Sequence, residues 1–120
     1  ELSQLSGGQR QRVFIAMALA QNTKILFLDE PTTYLDIRYQ LDILRLVKKL
    51  NREYGITIVM VLHEINQAIH FSDEVIGLKD GKVLVQGDPK DVITTESISE
   101  LYDVHLNVAD IDGQKFVLTV

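Results

Sequence analysis

Two adjacent carboxylates follow a short apolar run near the start of the chain. Residues Ile25 to Leu28 are all apolar, and Asp29 and Glu30 come directly after them. Such a run predicts a strand buried on both faces of a sheet. Ligands of α/β proteins bind at the carboxyl edge of the sheet, so Asp29 is suited to hold Mg²⁺ together with substrate phosphates. Glu30 is suited to orient or deprotonate an attacking water. Two acids at a solvated strand end are the alternative interpretation.

A histidine stands at the equivalent place after a second apolar run. Thr57 to Leu62 predicts another buried strand, and His63 follows it directly. In a parallel sheet His63 would emerge at the same edge as Glu30, where it could contact a terminal phosphate or fix the attacking water. A lone histidine is more often an ordinary surface or core residue. His70 and His105 lack any such context, and we interpret both as structural.

A serine and two glycines stand immediately before a helical stretch. Ser6, Gly7, Gly8 and Gln9 lead into the segment Gln9 to Gln21, which has no glycine or proline and is rich in good helix formers. The unpaired N–H groups and the dipole of a helix start favour an anion, and glycines let a phosphate approach the backbone. A plain glycine-rich turn capped by serine is the alternative that so short a motif leaves open.

The elements that would position these residues alternate between strand and helix. Asp36 is suited to cap a helix that runs to about Tyr54, and Gly55 is suited to end it. A short helix from about Glu64 to Phe71 follows the second strand. This alternation predicts a parallel sheet with right-handed crossovers.

The rest of the chain predicts antiparallel structure. Asp80-Gly81 and Asp112-Gly113 each stand between two apolar runs, which is typical of tight hairpins. Between the hairpins, a short helix is predicted to begin at Pro89 and continue through Tyr102. The predicted fold class is therefore α/β, with a nucleotide-type core in residues 1–71 and antiparallel hairpins in residues 74–120.

Length and composition restrict the classes of protein. The chain has 120 residues, 46% of them hydrophobic and 24% charged, which fits at most one domain of an intracellular protein. The net charge of −5 disfavours a nucleic-acid partner, which usually requires a basic face. Without cysteine, disulfides and thiol chemistry are excluded. The chain begins at Glu1, and its only methionines are Met17 and Met60, so we expect it to be part of a longer protein.

Taken together, these motifs resemble those of the ATPase subunits of ABC transporters. They occur in the family's order: the signature "LSGGQ" (Leu5 to Gln9), the Walker B strand "ILFLDE" (Ile25 to Glu30), the D-loop "YLD" (Tyr34 to Asp36) and the switch histidine His63. The resemblance covers at least residues 1–87, and it implies the C-terminal part of a P-loop NTPase fold.

The resemblance also implies roles for these residues. Asp29 would bind Mg²⁺, Glu30 would be the catalytic base and Asp36 would take part in communication across a dimer. The signature residues would contact the γ-phosphate of ATP held by the opposite subunit of a head-to-tail dimer; they are Ser6, Gly7, Gly8 and Gln9. The family's other partners are membrane-spanning permease subunits and, indirectly, a solute-binding protein, at the cytoplasmic face of a prokaryotic membrane.

Two longer segments are similar to one branch of the family. The segments "PTTYLDIRYQLDIL" (Pro31 to Leu44) and "INQAIHFSDEVIGLKDGKV" (Ile65 to Val83) are similar to subunits that import ferric siderophores, haem or cobalamin. The iron-chelate branch is the most similar. Glu64 stands where the family more often has aspartate, a difference that keeps the charge.

The phosphate-binding Walker A motif, G-x-x-x-x-G-K-[ST], does not occur in this sequence. The nearest approach, Gly77 to Val83, is one residue too short and ends in valine. We therefore expect the C-terminal half of an ABC ATPase, inactive alone and prone to self-association or partial disorder, because apolar edges would be exposed. A DNA-associated ATPase of the SMC or repair type and a non-catalytic dimerisation module remain alternatives. A Walker A motif upstream in the reading frame would favour the transporter class. A long arm of heptad repeats there would favour the DNA-associated class.

Overall fold

The computed structural model describes residues 13, 16, 17, 20, 22 and 24–119. Strands and helices both occur there, which confirms the α/β prediction. Their bounds are β1 Ile25–Asp29, α1 Ile37–Tyr54, β2 Thr57–Val61, α2 Ile65–Phe71, β3 Val75–Lys79, β4 Lys82–Gly87, α3 Pro89–Val92, α4 Thr95–Tyr102, β5 Asn107–Ile111 and β6 Gln114–Leu118. Within these residues, no helix has the length and apolarity needed to cross a membrane.

The helix predicted over Gln9 to Gln21 lies largely outside the described residues. The described positions within it are helical: Val13, Ala16, Met17 and Ala20. The chain divides into two compact units, residues 1–63 and residues 64–120.

The first unit contains a parallel pair of strands. β1 and β2 run in register from Ile25 opposite Thr57 to Asp29 opposite Val61. The long helix α1 connects the two strands, as the strand–helix–strand pattern predicts. Because the pair is parallel and in register, the carboxyl ends of both strands lie at one edge of the sheet.

Helix α1 is amphipathic and ends where the sequence predicts. Its buried side chains recur at helical spacing and form one stripe: Leu44, Leu46, Val47 and Leu50. Gly55 ends the helix in the left-handed conformation, with φ of 67°, and its N–H donates to the Asn51 carbonyl. Leu50 and Ile56 form a buried cluster against which Leu26 of β1 packs.

The prediction that both strands are buried on both faces is wrong. Leu26 and Ile58 pack against the Leu50 cluster, whereas side chains on the alternate face are exposed. Their exposed fractions are 53% for Ile25, 74% for Phe27, 44% for Val59 and 53% for Val61. A run of apolar residues reports that a strand can be covered, but only the packing of other elements decides which faces are.

This exposed face predicts that the 120-residue chain self-associates in solution. An apolar patch left in water favours association, and Phe27 supplies its most exposed large side chain. We expect Phe27→Lys to shift the sedimentation profile towards the monomer, because a charge at the centre of the patch opposes its burial. Thr57→Lys is the control, since it adds the same charge to the same face without removing apolar surface. A wild-type chain that stays monomeric at all accessible concentrations would contradict this prediction.

The second unit contains two antiparallel hairpins, as predicted. β3 pairs with β4, and β5 pairs with β6. Each turn is an Asp-Gly pair with positive φ at both residues: 52° and 75° at Asp80 and Gly81, and 53° and 79° at Asp112 and Gly113. These are type I′ turns, whose twist matches that of the flanking strands.

The single helix predicted from Pro89 through Tyr102 is in fact two helices. α3 ends at Val92, and Thr94 has an extended backbone with φ of −129° and ψ of 163°. Thr94 and Ser97 form a reciprocal capping box at the start of α4, with both hydrogen bonds at 3.0 Å. The threonine hydroxyl competes with the helix for backbone bonds and starts a new helix instead.

The core of the second unit is formed by side chains from α2, α4 and β6 and from the residue that follows α3. Its buried members are Ile69, Ile93, Ile98 and Val117. Asn66 of α2 attaches that helix to β6: its amide donates to the Val117 carbonyl at 3.1 Å and accepts from the Val117 N–H at 2.8 Å. Helix α2, which the sequence division grouped with the first part, therefore belongs to the second unit.

Candidate functional site

Two carboxylates stand at the carboxyl end of β1. Asp29 is the last residue of the strand, pairs with Val61 and is exposed. Glu30 follows it, and its N–H donates to the Val61 carbonyl at 2.9 Å, which extends the parallel pairing by one bond. Both carboxylates therefore start from a backbone that the neighbouring strand holds in place.

The backbone of Glu30 is in the left-handed region, with φ of 52°. A residue other than glycine costs about 1–3 kcal/mol in such a strained conformation, so the surrounding structure must hold it there. Glu30 lies beyond the end of β1, and its positive φ takes it out of the extended, alternating pattern of that strand. Asp29 and Glu30 are therefore not redundant, although they are neighbours in sequence.

His63 lies beside Glu30. Nε2 of His63 is 2.5 Å from Oε1 of Glu30, and the imidazole N–H donates to the carboxylate. Both side chains remain partly accessible, with exposed fractions of 71% for His63 and 39% for Glu30. The strand order of the sequence predicts this juxtaposition, and the contact joins two residues that are 33 positions apart.

The segment between Glu30 and α1, here called the β1–α1 loop (residues 30–36), consists of successive turns. The Thr33 N–H donates to the Glu30 carbonyl at 3.2 Å, and the Leu35 N–H donates to the Thr32 carbonyl at 3.3 Å. Tyr34 has φ of 65° and a fully exposed side chain, whereas Thr32 is buried. The loop thus contains a second residue in the left-handed region within four positions of Glu30.

Asp36 occupies the predicted N-cap position of α1, but the predicted cap is wrong. Its backbone is extended, and its exposed carboxylate makes no cap hydrogen bond. Gln40 bonds the residue before the cap position: its Nε2 donates to the Leu35 carbonyl at 2.9 Å, a bond that satisfies none of the first N–H groups of the helix. Sequence reasoning missed Gln40, because a capping box would place a glutamine one residue earlier, at Tyr39.

The remaining candidate residues lie elsewhere. The signature residues Ser6, Gly7, Gly8 and Gln9 are outside the described residues. The other two histidines make local contacts: Nε2 of His70 lies 3.1 Å from the Lys115 carbonyl oxygen, and Nε2 of His105 lies 3.1 Å from Oδ1 of Asn107. These contacts agree with the structural interpretation of both histidines.

The carboxylate of Asp29 at the sheet edge fits Mg²⁺ if a substrate supplies phosphate oxygens as further ligands. No group of three or more acidic or histidine side chains is arranged to hold a metal ion in the part of the chain that the structure describes. Mg²⁺ is commonly bound through one or two carboxylates, with phosphate oxygens and waters completing an octahedron. Asp29, exposed at the end of β1, is a ligand of this kind when a phosphate-bearing substrate supplies the others.

Comparison with known proteins shows what this chain is similar to. The ABC transporter family matches residues 1–33, which include the signature and the first strand. The chain is 51% identical over 106 residues to the ferric enterobactin transport ATP-binding protein of Escherichia coli. The aligned segment covers 88% of this chain and 39% of that protein. The chain therefore spans well under half the length of this relative.

Solved structures share the fold. An ABC transporter assigned to the metal-chelate type, in an inward-facing conformation, has a TM-score of 0.78 and 30% identity over 98% of this chain and 47% of its own. A dimeric ATP-binding cassette, in a post-hydrolysis state with bound ADP and Pi, has a TM-score of 0.57 and 50% identity over 72% of this chain and 37% of its own. Sequence and fold together identify this chain as a segment of the ATP-binding domain of ABC transporters.

Proposed function

We propose that this chain is the C-terminal half of an ATP-hydrolysing subunit that energises solute uptake by an ABC-type importer. The observation that carries the proposal is the contact between His63 and Glu30 at the carboxyl edge of the parallel strands. Glu30 directly follows Asp29 in the chain. A carboxylate oriented by an imidazole, next to the proposed Mg²⁺ ligand Asp29, suits the activation of a water for phosphoryl transfer.

Each residue has a distinct role in this proposal. Asp29 would hold Mg²⁺, which neutralises charge on the phosphates. Glu30 accepts a proton from the attacking water, and its hydrogen bond with His63 fixes the direction of the carboxylate. Asp36 takes part in communication between two subunits, and the signature residues act on the nucleotide of the opposite subunit; these are Ser6, Gly7, Gly8 and Gln9.

The proposed solute is a ferric siderophore or a related iron chelate. The similarity to a ferric enterobactin transport protein and to a transporter of the metal-chelate type supports it. The proposed partners are a second ATPase subunit, membrane-spanning permease subunits and, through them, a solute-binding protein. The subunit would work at the cytoplasmic face of a prokaryotic membrane. The dimeric cassette with ADP and Pi supports the paired arrangement.

The experiment that tests this function is uptake in a strain that lacks the full-length gene. We expect the strain to lose accumulation of one ferric chelate and to regain it with the intact gene. Haem and cobalamin are assayed in parallel, because the ATPase does not itself recognise the solute. Unchanged uptake of ferric chelates, haem and cobalamin would contradict the proposal.

A second prediction concerns the 120-residue chain by itself. We expect it not to bind Mg-ATP measurably in a calorimetric titration, because its sequence has no Walker A loop whose N–H groups could hold the phosphates. The full-length protein is the control and should bind under the same conditions. Tight binding by the 120-residue chain would contradict this prediction.

A further inference from the structure

One glutamine holds two consecutive peptide groups at the end of the β1–α1 loop. The side-chain Nε2 of Gln40 donates to the Leu35 carbonyl at 2.9 Å, and the backbone N–H of Gln40 donates to the Asp36 carbonyl at 2.8 Å. Gln40 is half-buried, so its amide bond is partly protected from water. The backbone bond is the first i→i−4 bond of α1, which other residues at this position would also make, so the side-chain bond is the contribution of the glutamine.

The side chain of Asp36 makes no cap hydrogen bond at the start of α1. An aspartate at an N-cap position usually accepts a backbone N–H, an interaction that stabilises a helix by about 1 kcal/mol. Here Asp36 has an N-cap backbone conformation and no cap hydrogen bond, and its side chain is exposed. Anchoring of the loop and presentation of the Asp36 carboxylate are therefore carried by different residues.

The loop requires such an anchor. Glu30 at one end and Tyr34 near the other both have positive φ, and the two turn hydrogen bonds within the loop are long, at 3.2 and 3.3 Å. Strained backbone of this kind persists only where neighbouring contacts determine it. At the Glu30 end, pairing with Val61 holds the backbone, and at the Leu35 end Gln40 does so.

We infer that Gln40 is a positioning residue for the proposed hydrolysis, acting through the β1–α1 loop on Glu30 and Asp36. The inference rests on the proposed function, because it assigns Gln40 a role in that reaction. Its amide holds the Leu35 carbonyl, and the loop in turn fixes the distance between the Glu30 backbone and the start of α1. Loss of that bond lets the loop move while β1 and α1 remain folded.

The test compares three variants of the full-length protein. Gln40→Met removes the N–H donor and keeps the length of the side chain, whereas Gln40→Lys retains a donor of similar reach. Asn51→Leu is the matched control, since Asn51 Nδ2 donates to the Ile56 carbonyl at 2.9 Å, also across five residues, at the other end of α1. All three are compared for kcat, for KM for ATP and for hydrogen exchange of the Leu35 amide.

We expect Gln40→Met to lower kcat by roughly tenfold to a hundredfold with KM within about twofold, because small displacements of catalytic groups have effects of that size. Gln40→Lys should restore most of kcat, and Asn51→Leu should change it little. Exchange at Leu35 should accelerate only in Gln40→Met. The inference is overturned if Gln40→Met has a kcat no lower than that of Asn51→Leu while Glu30→Gln is inactive. That result leaves the proposed function standing. Full turnover in Glu30→Gln instead removes Glu30 from the role of base that the proposed function assigns to it, and accelerated exchange at Leu35 would still support the anchoring role.

Discussion

Glu30→Gln in the full-length protein is expected to abolish most ATP turnover while leaving ATP binding intact. A carboxamide oxygen can still accept the hydrogen bond from His63, so the side chain keeps its place. The carboxamide cannot take a proton from water, and general base catalysis contributes roughly 10²–10⁴-fold to such reactions. We therefore expect kcat to fall by that factor and the dissociation constant for ATP to stay within about twofold of the wild-type value.

The control for this variant is Glu53→Gln, the same substitution at an exposed position of α1. It should leave both turnover and binding unchanged. Equal turnover in Glu30→Gln and the wild type would remove Glu30 from the role of base. His63→Ala gives a further comparison, because it leaves the carboxylate and removes its partner: turnover should fall, by less than in Glu30→Gln.

The position of the site follows from the sequence, and its geometry does not. An apolar run followed by Asp29 and Glu30, and a second run followed by His63, lead to one sheet edge once the strands are parallel. The left-handed backbone at Glu30 has no signal in the sequence, since glycine is the usual marker of positive φ. Nor does a pattern of residues reveal that Asp36 fails to cap α1 while Gln40 holds the loop.

The fold shows the same division between local and long-range causes. Gly55 and the Asp80-Gly81 turn are predicted because backbone conformation there depends on the residue itself. The exposure of Phe27 and the helix break before Thr94 are not predicted by the sequence, for two different reasons. Exposure depends on which elements pack against the strand, and the break depends on a hydroxyl that competes with the helix for backbone groups.

The largest expected loss of stability in the second unit comes from Ile98→Ala. Ile98 is fully buried on α4 and belongs to the same cluster as Ile69, Ile93 and Val117. Truncation of a buried isoleucine removes its burial and leaves a cavity, which together reduce the free energy of unfolding by about 2–5 kcal/mol. Because whole domains are stable by only about 5–15 kcal/mol, the variant should open the unit at a markedly higher frequency.

Hydrogen exchange of the Val117 amide reports this opening directly. That N–H is bonded to the Asn66 side chain, so its exchange rises with the frequency at which the attachment of α2 to β6 opens. Ile98→Val should lower the opening free energy by about 0.5–1.5 kcal/mol, since it removes a single methyl group. Ile111→Ala is the matched control, because the same truncation on β5 affects a side chain that is already 51% exposed. If the loss in Ile98→Ala is no larger than in Ile111→Ala, α4 does not hold the unit together, and its stability must come from the hairpins and from the attachment of α2 to β6.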